Sequence, residues 1–447
     1  MRTIEFRILI VLCVVFLMAF DACKEQGRFE IGFDDTEPPS APVYIRYKPL
    51  YGGARLFYQI PRDEDIISID ASYTVKNNDN TEKEVWFSIS YFTDSLDVYG
   101  FDDTTVHIVK LYAVDRAGNK SDKTVVPVKP LEPSFSRVAK SLKITPGFGS
   151  FYIDWVNELE QNINVYVDFD YNENGTHREQ ELIYTSRLPS ERWFITGLDN
   201  LAEGEQISIK MRVEDQYGNL TSDIDKGKIV LLQDEVIPKN KWRIFEANDS
   251  IGGEPMGFFA GGGQSAKFII DGFIDDGINR SYGHTYGVGR TGRAQDPNAP
   301  WNFIIDLGEE YELSRIVTNQ RFEAGHSHAY GTYYTYFNVG SYALYVGQVT
   351  GPDQNTGVRW DYVGRTYISV PSGTEMEIYQ SARAGDMAYF YPEAPKFTAP
   401  TRWFRYEALT AFHNIGYGPD VIMRPIVYAS PAMAQQLSEI TLYARKK

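Results

Sequence analysis

The sequence predicts an all-β protein assembled from several sandwich domains. Aromatic residues make up 14 % of the chain, and 31 Tyr and 26 Phe stand beside 37 Gly and 22 Pro. That balance favours strands and tight turns over helical bundles. A strand-and-turn segment occurs twice, and alternation of apolar and polar residues marks both copies as strands. The length of 447 residues is about three times the ~150 residues of a common domain, which gives two to four domains.

The chain opens with Arg2 and Arg7, runs without a polar residue from Ile8 to Phe20, and reaches Asp21-Ala22-Cys23. A basic start, a short apolar core and a small residue before a cysteine have the layout of an export signal over residues 1–22. The apolar run is shorter than the ~17 to 25 residues of a membrane-spanning helix. Cys13 and Cys23 are the only cysteines, so no disulfide and no thiolate metal site is expected beyond this segment. The Ala22-Cys23 step resembles the lipobox of bacterial lipoproteins, although Phe20 and Asp21 depart from its usual pattern. The resemblance implies lipidation at Cys23. Residues 23–36 read as a tether, because a polar stretch leading into Glu37-Pro38-Pro39 cannot pack a core.

Val109-Lys110-Leu111-Tyr112-Ala113-Val114-Asp115-Arg116-Ala117-Gly118-Asn119 then returns as Ile209-Lys210-Met211-Arg212-Val213-Glu214-Asp215-Gln216-Tyr217-Gly218-Asn219. Each copy reads as a strand ended by an Asp-x-x-Gly-Asn turn. A second aromatic-rich strand follows a Gly-containing turn in each copy, Arg55–Tyr58 and Phe151–Trp155. These features resemble fibronectin type III-like modules of bacterial surface proteins, which implies two β-sandwiches over 37–130 and 131–237.

From Pro238 the composition shifts towards Gly and aromatic residues. Phe268-Ile269-Ile270-Asp271-Gly272, Trp301-Asn302-Phe303-Ile304-Ile305-Asp306-Leu307-Gly308 and Leu313-Ser314-Arg315-Ile316 are followed by Trp360-Asp361-Tyr362-Val363-Gly364, Trp403-Phe404-Arg405-Tyr406 and Leu437-Ser438-Glu439-Ile440-Thr441-Leu442-Tyr443. These six blocks, in this order, resemble a discoidin, or coagulation-factor type C, domain. The resemblance implies a galactose-binding-like jelly-roll sandwich over 238–447. The whole arrangement resembles Bacteroidetes surface lipoproteins of polysaccharide-utilisation systems. Independently of any family, alternation places Trp301, Phe303 and Ile305 on one strand face, and Trp301, Trp360 and Trp403 are expected in the core.

In such sugar binders the ligand sits on loops at one end of the barrel. Mapped here, those loops carry Tyr282, His284, Tyr286, Arg290 and Arg293; Arg321, His326, His328 and Tyr330; and His413, Asn414 and Tyr417. Aromatic faces and convergent polar groups suit a small polar ligand, while packing within the loops is the other reading of each residue. The resemblance also implies a structural calcium held by Asp271 and Glu439 with Asp275 or Asp276, carboxylates being the hard donors calcium prefers. His326-Ser327-His328 lacks a third ligand at a recognisable spacing for a transition metal.

Two motifs match as letters only. Asp170-Tyr171-Asn172-Glu173-Asn174-Gly175 with Glu181 fits a helix-framed calcium loop, but its flanks alternate like strands, so an Asn-Gly hairpin is expected. Gly287-Val288-Gly289-Arg290-Thr291-Gly292 fits a dinucleotide fingerprint without the strand and helix that would frame it. The formal charge of −16 is spread along the chain with no basic stripe, which argues against nucleic acid. No nucleophile elbow, phosphate loop or paired zinc histidines occurs, and no catalytic residue is nominated.

The expected function is that of a lipid-anchored outer-membrane surface protein that captures polysaccharide or oligosaccharide beside neighbouring uptake proteins. A protein-interaction or adhesin subunit and an atypical glycan-processing enzyme are the alternatives.

Overall fold

The computed structural model describes residues 35–76, 81–245, 250–251, 254–255, 265–278, 280–284, 301–322, 333–334, 338–353, 356–371, 373–413, 427–429 and 435–446. Cys23 and the rest of the N-terminal segment lie outside them. The described chain is all-β apart from two short α-helices and brief 3-10 turns.

The first domain comprises β1 (Val43–Leu50), β2 (Gly53–Gln59), β3 (Ile66–Lys76), β4 (Glu82–Ser90), β5 (Ser95–Tyr99), β6 (His107–Asp115) and β7 (Thr124–Val128). They form one sheet of order β1-β2-β5 and another of order β4-β3-β6-β7. Alternate residues of each strand point inward, for example Ala54, Leu56 and Tyr58 against Val109, Leu111 and Ala113, and all six are fully buried. Two half-apolar sheets can hide these faces only against each other.

The second domain repeats this plan with β8 (Lys143–Pro146), β9 (Phe151–Val156), β10 (Ile163–Glu173), β11 (Thr176–Ser186), β12 (Ser190–Ile195), β13 (Gln206–Asp215) and β14 (Ile224–Val230). Its sheets run β12-β9-β8 and β11-β10-β13-β14, the same order in the same roles. The repeated segments are β6 and β13 with their turns. Asp115 accepts the Asn119 backbone N–H at 2.8 Å and its side-chain amide at 2.9 Å, and Asp215 accepts those of Asn219, each at 3.0 Å. Gly118 and Gly218 take φ of 89° and 84°, which a side chain would oppose. The Asp170–Gly175 segment is the hairpin between β10 and β11, with Asn174 and Gly175 at φ of 51° and 81°, a pairing typical of a two-residue turn.

An unexpected helix, α1 (Ser134–Ser141), follows Pro133. The third domain contains β15 (Glu235–Val236), β16 (Arg243–Phe245), β17 (Ser250–Ile251), β18 (Glu254–Pro255), β19 (Gly283–His284), β20 (Trp301–Asn319), β21 (Val339–Asp353), β22 (Thr356–Tyr367), the helix α2 (Glu375–Ala384), β23 (Asp386–Tyr389), β24 (Thr401–His413), β25 (Val427–Ala429), β26 (Gln436–Leu437) and β27 (Glu439–Lys446). Strand β20 serves two sets of neighbours. Its first half pairs with β16 and β24, and its second half with β27 and β23. The change of partner falls around Gly308, whose φ is 80° and where a Cβ would come within 2.7 Å of Lys241. Both halves feed one core, which holds Phe303 and Ile305 with Leu313 and Ile316. Trp403 is fully buried there and Trp360 packs against it. Pairing of β15 with β27 extends this sheet back to Glu235, ahead of Pro238.

The domains are joined by main-chain bridges, aromatic contacts and ion pairs. Tyr51 bridges Leu131 at the first junction and Phe148 bridges Leu232 at the second. Tyr99 and Tyr217 stack at 5.9 Å across the first. Across the second, Tyr389 packs against Phe148 and Tyr152, and Arg192 binds both Asp154 (2.6 Å) and Glu393 (2.9 Å). Arg315 of β20, 5 % exposed, donates to Asp234 of the connecting segment (2.9 and 3.0 Å) and to Asp199 of the second domain, and its guanidinium covers the Tyr443 ring at 3.9 Å. Removing one partner of a buried ion pair leaves the other uncompensated. Arg315→Met is therefore expected to cost about 3 to 5 kcal/mol, read as a lower urea midpoint of the full chain. An unchanged midpoint would show that the bridge contributes no stability.

Candidate functional site

Several chain segments meet at one end of the third domain, and buried amides hold them there. Strand β19 pairs with β26, so that His284 faces Gln436. Asn338, just before β21, bridges Gln436, and the Arg321 guanidinium donates to the Gln436 side-chain oxygen. The Asn338 amide donates to the carbonyls of Arg321 (2.9 Å) and Tyr333 (2.6 Å), and accepts the Arg321 backbone N–H at 2.9 Å. Phe412 of β24 donates to the Asn338 carbonyl at 2.8 Å, and β25 pairs back onto residues 411–413. The flanks of 285–300, 323–332 and 414–426 are thus gathered at a single end.

Gln435, Gln436, Ser438 and Glu439 are all buried. Groups of this kind are tolerated in an interior only when hydrogen-bonded. Ser438 accordingly accepts the Asp275 N–H at 2.7 Å and donates to the Ser281 carbonyl at 3.1 Å. Arg321 lies over the Tyr282 ring at 4.0 Å, with its Nε 4.0 Å from Asp275. Burial pushes the Asp275 carboxyl up to about 6, against the Gly277 N–H and the Arg321 charge. Behind it, Asp386 accepts the Tyr334 hydroxyl at 3.0 Å and the Gln320 amide at 3.3 Å, and burial pushes it up to about 7.

Among the residues expected to bind ligand, Arg321 is described in full and stands at this end. Of His284 and His413 the strand pairing alone is described, and it places both in the same gathering. Tyr286, Arg290, Arg293, His326, His328, Tyr330 and Tyr417 lie outside the described residues. Gln436, Asn338, Lys239 and Asp386 were not singled out from the sequence. No local sequence motif marks any of them.

The three residues expected at a metal are placed as follows. Asp271 and Glu439 are neighbours: the Gly272 N–H donates to Glu439 at 3.2 Å, while Asp271 accepts the Ser281 hydroxyl at 2.5 Å and the Phe273 N–H at 2.9 Å. Asp276 accepts the Ile278 N–H at 2.9 Å. Burial pushes Glu439 up to about 8; the opposing pull is the ammonium of Lys239, which is bonded to its other oxygen, and Asp271 adds to the rise. Lys239 supplies the positive charge a calcium ion would bring, so this donor set does not fit calcium while that pair stands. Among the described residues, the sets of three side chains close enough together to share a metal ion are elsewhere: Asp35, Asp65 and Asp115, and Asp102, Asp103 and His107. The carboxylates of the first set include Asp115, already bonded to Asn119.

Comparison with known proteins gives partial matches. Residues 39–130 match a domain of unknown function (DUF4959) and residues 131–231 match another (DUF5126). No curated protein matches the chain. Among solved structures, a SusE-like protein, BT2857, is 17 % identical over 70 % of this chain and 99 % of its own, with a TM-score of 0.33. The C-terminal domain of a chitobiase from Bacteroides fragilis is 14 % identical over 47 % of this chain and 98 % of its own, with a TM-score of 0.25. A two-domain fibronectin type III segment of chicken tenascin is 13 % identical over 43 % and 99 %, with a TM-score of 0.19.

The buried Asp386 gives the third domain a pH signature. Its folded value lies above the ordinary carboxyl value, so its stabilising contribution is full below about pH 4 and is lost as pH rises through about 7. Relative to the native chain, Asp386→Asn should gain stability between these limits, by on the order of 4 kcal/mol in all. Urea titrations of both proteins at pH 4.5, 6 and 8 measure this, and a difference that stays constant with pH contradicts it.

Proposed function

We propose that the chain is a non-catalytic glycan-binding protein of the outer-membrane surface, anchored by lipid at Cys23, whose third domain holds polysaccharide on the loops at the Gln436 end. The observation that supports this most is the gathering of β19, Arg321, Asn338, β24 and β26 around buried amides, which gives three long sequence segments rich in Tyr, His and Arg a common base. A rigid base beneath variable loops is the usual construction of a recognition site. No helix among the described residues is long and apolar enough to cross a membrane. The proteins served by the captured glycan would be neighbouring uptake components in the same membrane.

Native affinity gels containing pullulan, laminarin, xylan or galactomannan test the reading with the full chain. One polysaccharide should retard the native protein, and Tyr286→Ala with Arg290→Ala should weaken retention about tenfold, equivalent to about 1.4 kcal/mol, without lowering the melting temperature. With the Lys239 ammonium already bonded to Glu439, chelator should leave retention unchanged, and its loss would mean that calcium displaces the ammonium. Release of shorter sugars would instead reveal an enzyme. Indifference to all four polysaccharides, with retention of a membrane protein in a pull-down, would favour a protein-interaction subunit.

A further inference from the structure

The first two domains share one sheet order, so positions where their outer faces differ are positions the fold leaves free. Tyr112 and Arg212 hold the same place in the repeated segment. Tyr112 faces Asp70 across the sheet and Arg212 faces Tyr166. One step along, Ser72 faces Trp86 and Asp168 faces Glu181. In the second domain this spot is an ionic network in which Arg212 binds Asp168 at 3.0 Å and Glu181 at 3.4 Å. In the first it is a pair of aromatic rings, Trp86 and Tyr112, with centroids 5.5 Å apart and planes inclined at 30°.

This pair lies on the surface, with Trp86 48 % exposed. It is also held in place. The Lys120 ammonium stands over the indole, 4.0 Å from its centroid, and is bonded to Asp70 at 3.1 Å. Glu84 accepts the Ser72 hydroxyl at 2.5 Å, and that bond, reinforced by the Trp86 side chain and the Lys110 charge, holds its carboxyl below the ordinary range. Ser72 itself is fully covered although it points to the outer face.

We propose that Trp86 and Tyr112 form a second glycan platform, on the first domain and remote from the loops of the third. The proposal takes its ligand class from the reading above but not its site. An exposed ring pair offers an apolar surface to the C–H face of a sugar, and Asp70, Glu84 and Lys120 supply acceptors and a donor for hydroxyls at its margin. The charges beside it are of both signs, so no net field selects an ionic ligand. A stable protein partner buries about 800 Å² on each side, more than two rings provide. A neutral polysaccharide, long enough to reach both domains, fits this chemistry.

The test uses the full chain and the polysaccharide among the four gels that retards it. Trp86→Ala should weaken retention severalfold with an unchanged melting temperature, Trp86→Phe should recover most of it, and the loss should add to that of the Tyr286 and Arg290 double variant. Titration with the same soluble polysaccharide should change the native tryptophan fluorescence by a component missing from Trp86→Phe. Native retention and fluorescence response in the Trp86 variants would overturn the platform while leaving the third-domain site standing. Loss in the Trp86 variants alone would do the reverse. Indifference of the native protein to every gel would overturn both, and a pull-down partner lost in Trp86→Ala would assign the face to protein contact instead.

Discussion

A guanidinium cannot be left alone in a protein interior, and Arg315 is nearly sealed from water. Its neutralising carboxylates come from outside its own domain core: Asp234 from the connecting segment and Asp199 from the second sandwich. The arrangement therefore exists only when the second and third domains sit in one relation. Around it aromatic rings pack closely, with Tyr389 enclosed by Phe148 and Tyr152. Gly147 passes so close that a Cβ there would come within 2.1 Å of the Tyr389 hydroxyl. Interfaces between domains of one chain are often loose and polar. This one has a buried ion pair and an aromatic core.

How far the sequence discloses this depends on the kind of signal each part leaves. The paired sandwiches are legible because β6 and β13 alternate cleanly and end in the same Asp, Gly and Asn, each required by the turn itself. The strands of the third domain are legible as apolar blocks bounded by turn residues. Helix α2 was open to detection through the capping box of Thr374 and Glu377, whereas α1 has no side-chain cap. The gathering around Gln436 and Asn338 was not legible, because a buried amide has the same letter as a solvated one and its partners lie far away in the chain. The same holds for Lys239, which meets Glu439 only through the fold. Arg315 sits inside a block read for its strand, and nothing local distinguishes it from a surface arginine.

Three carboxyl groups of the third domain, Asp275, Asp386 and Glu439, are pushed upward by burial to between about 6 and about 8. Asp386 has no motif around it, whereas Glu439 and Asp275 fall at positions the resemblance assigned to calcium. All three belong to the interior beneath the gathered strand ends, where hydroxyls, amides and two cationic side chains meet them. A base of this kind fixes geometry through many directional bonds, each of which is costly to leave unmade. Placing recognition residues above such a base reduces the freedom they would lose on binding.

The repeated turn carries a consequence of its own. In the first sandwich the Asn119 side chain, besides binding Asp115, donates to the backbone carbonyl of Asp35 at 2.9 Å. In the second, Asn219 donates to the backbone carbonyl of Gly100 at 3.3 Å. Each unit thus grips the main chain of whatever comes before it, and every residue type presents that carbonyl. Such a joint places no demand on upstream side chains, so a duplicated unit arrives already able to dock, and its outer face is left to diverge.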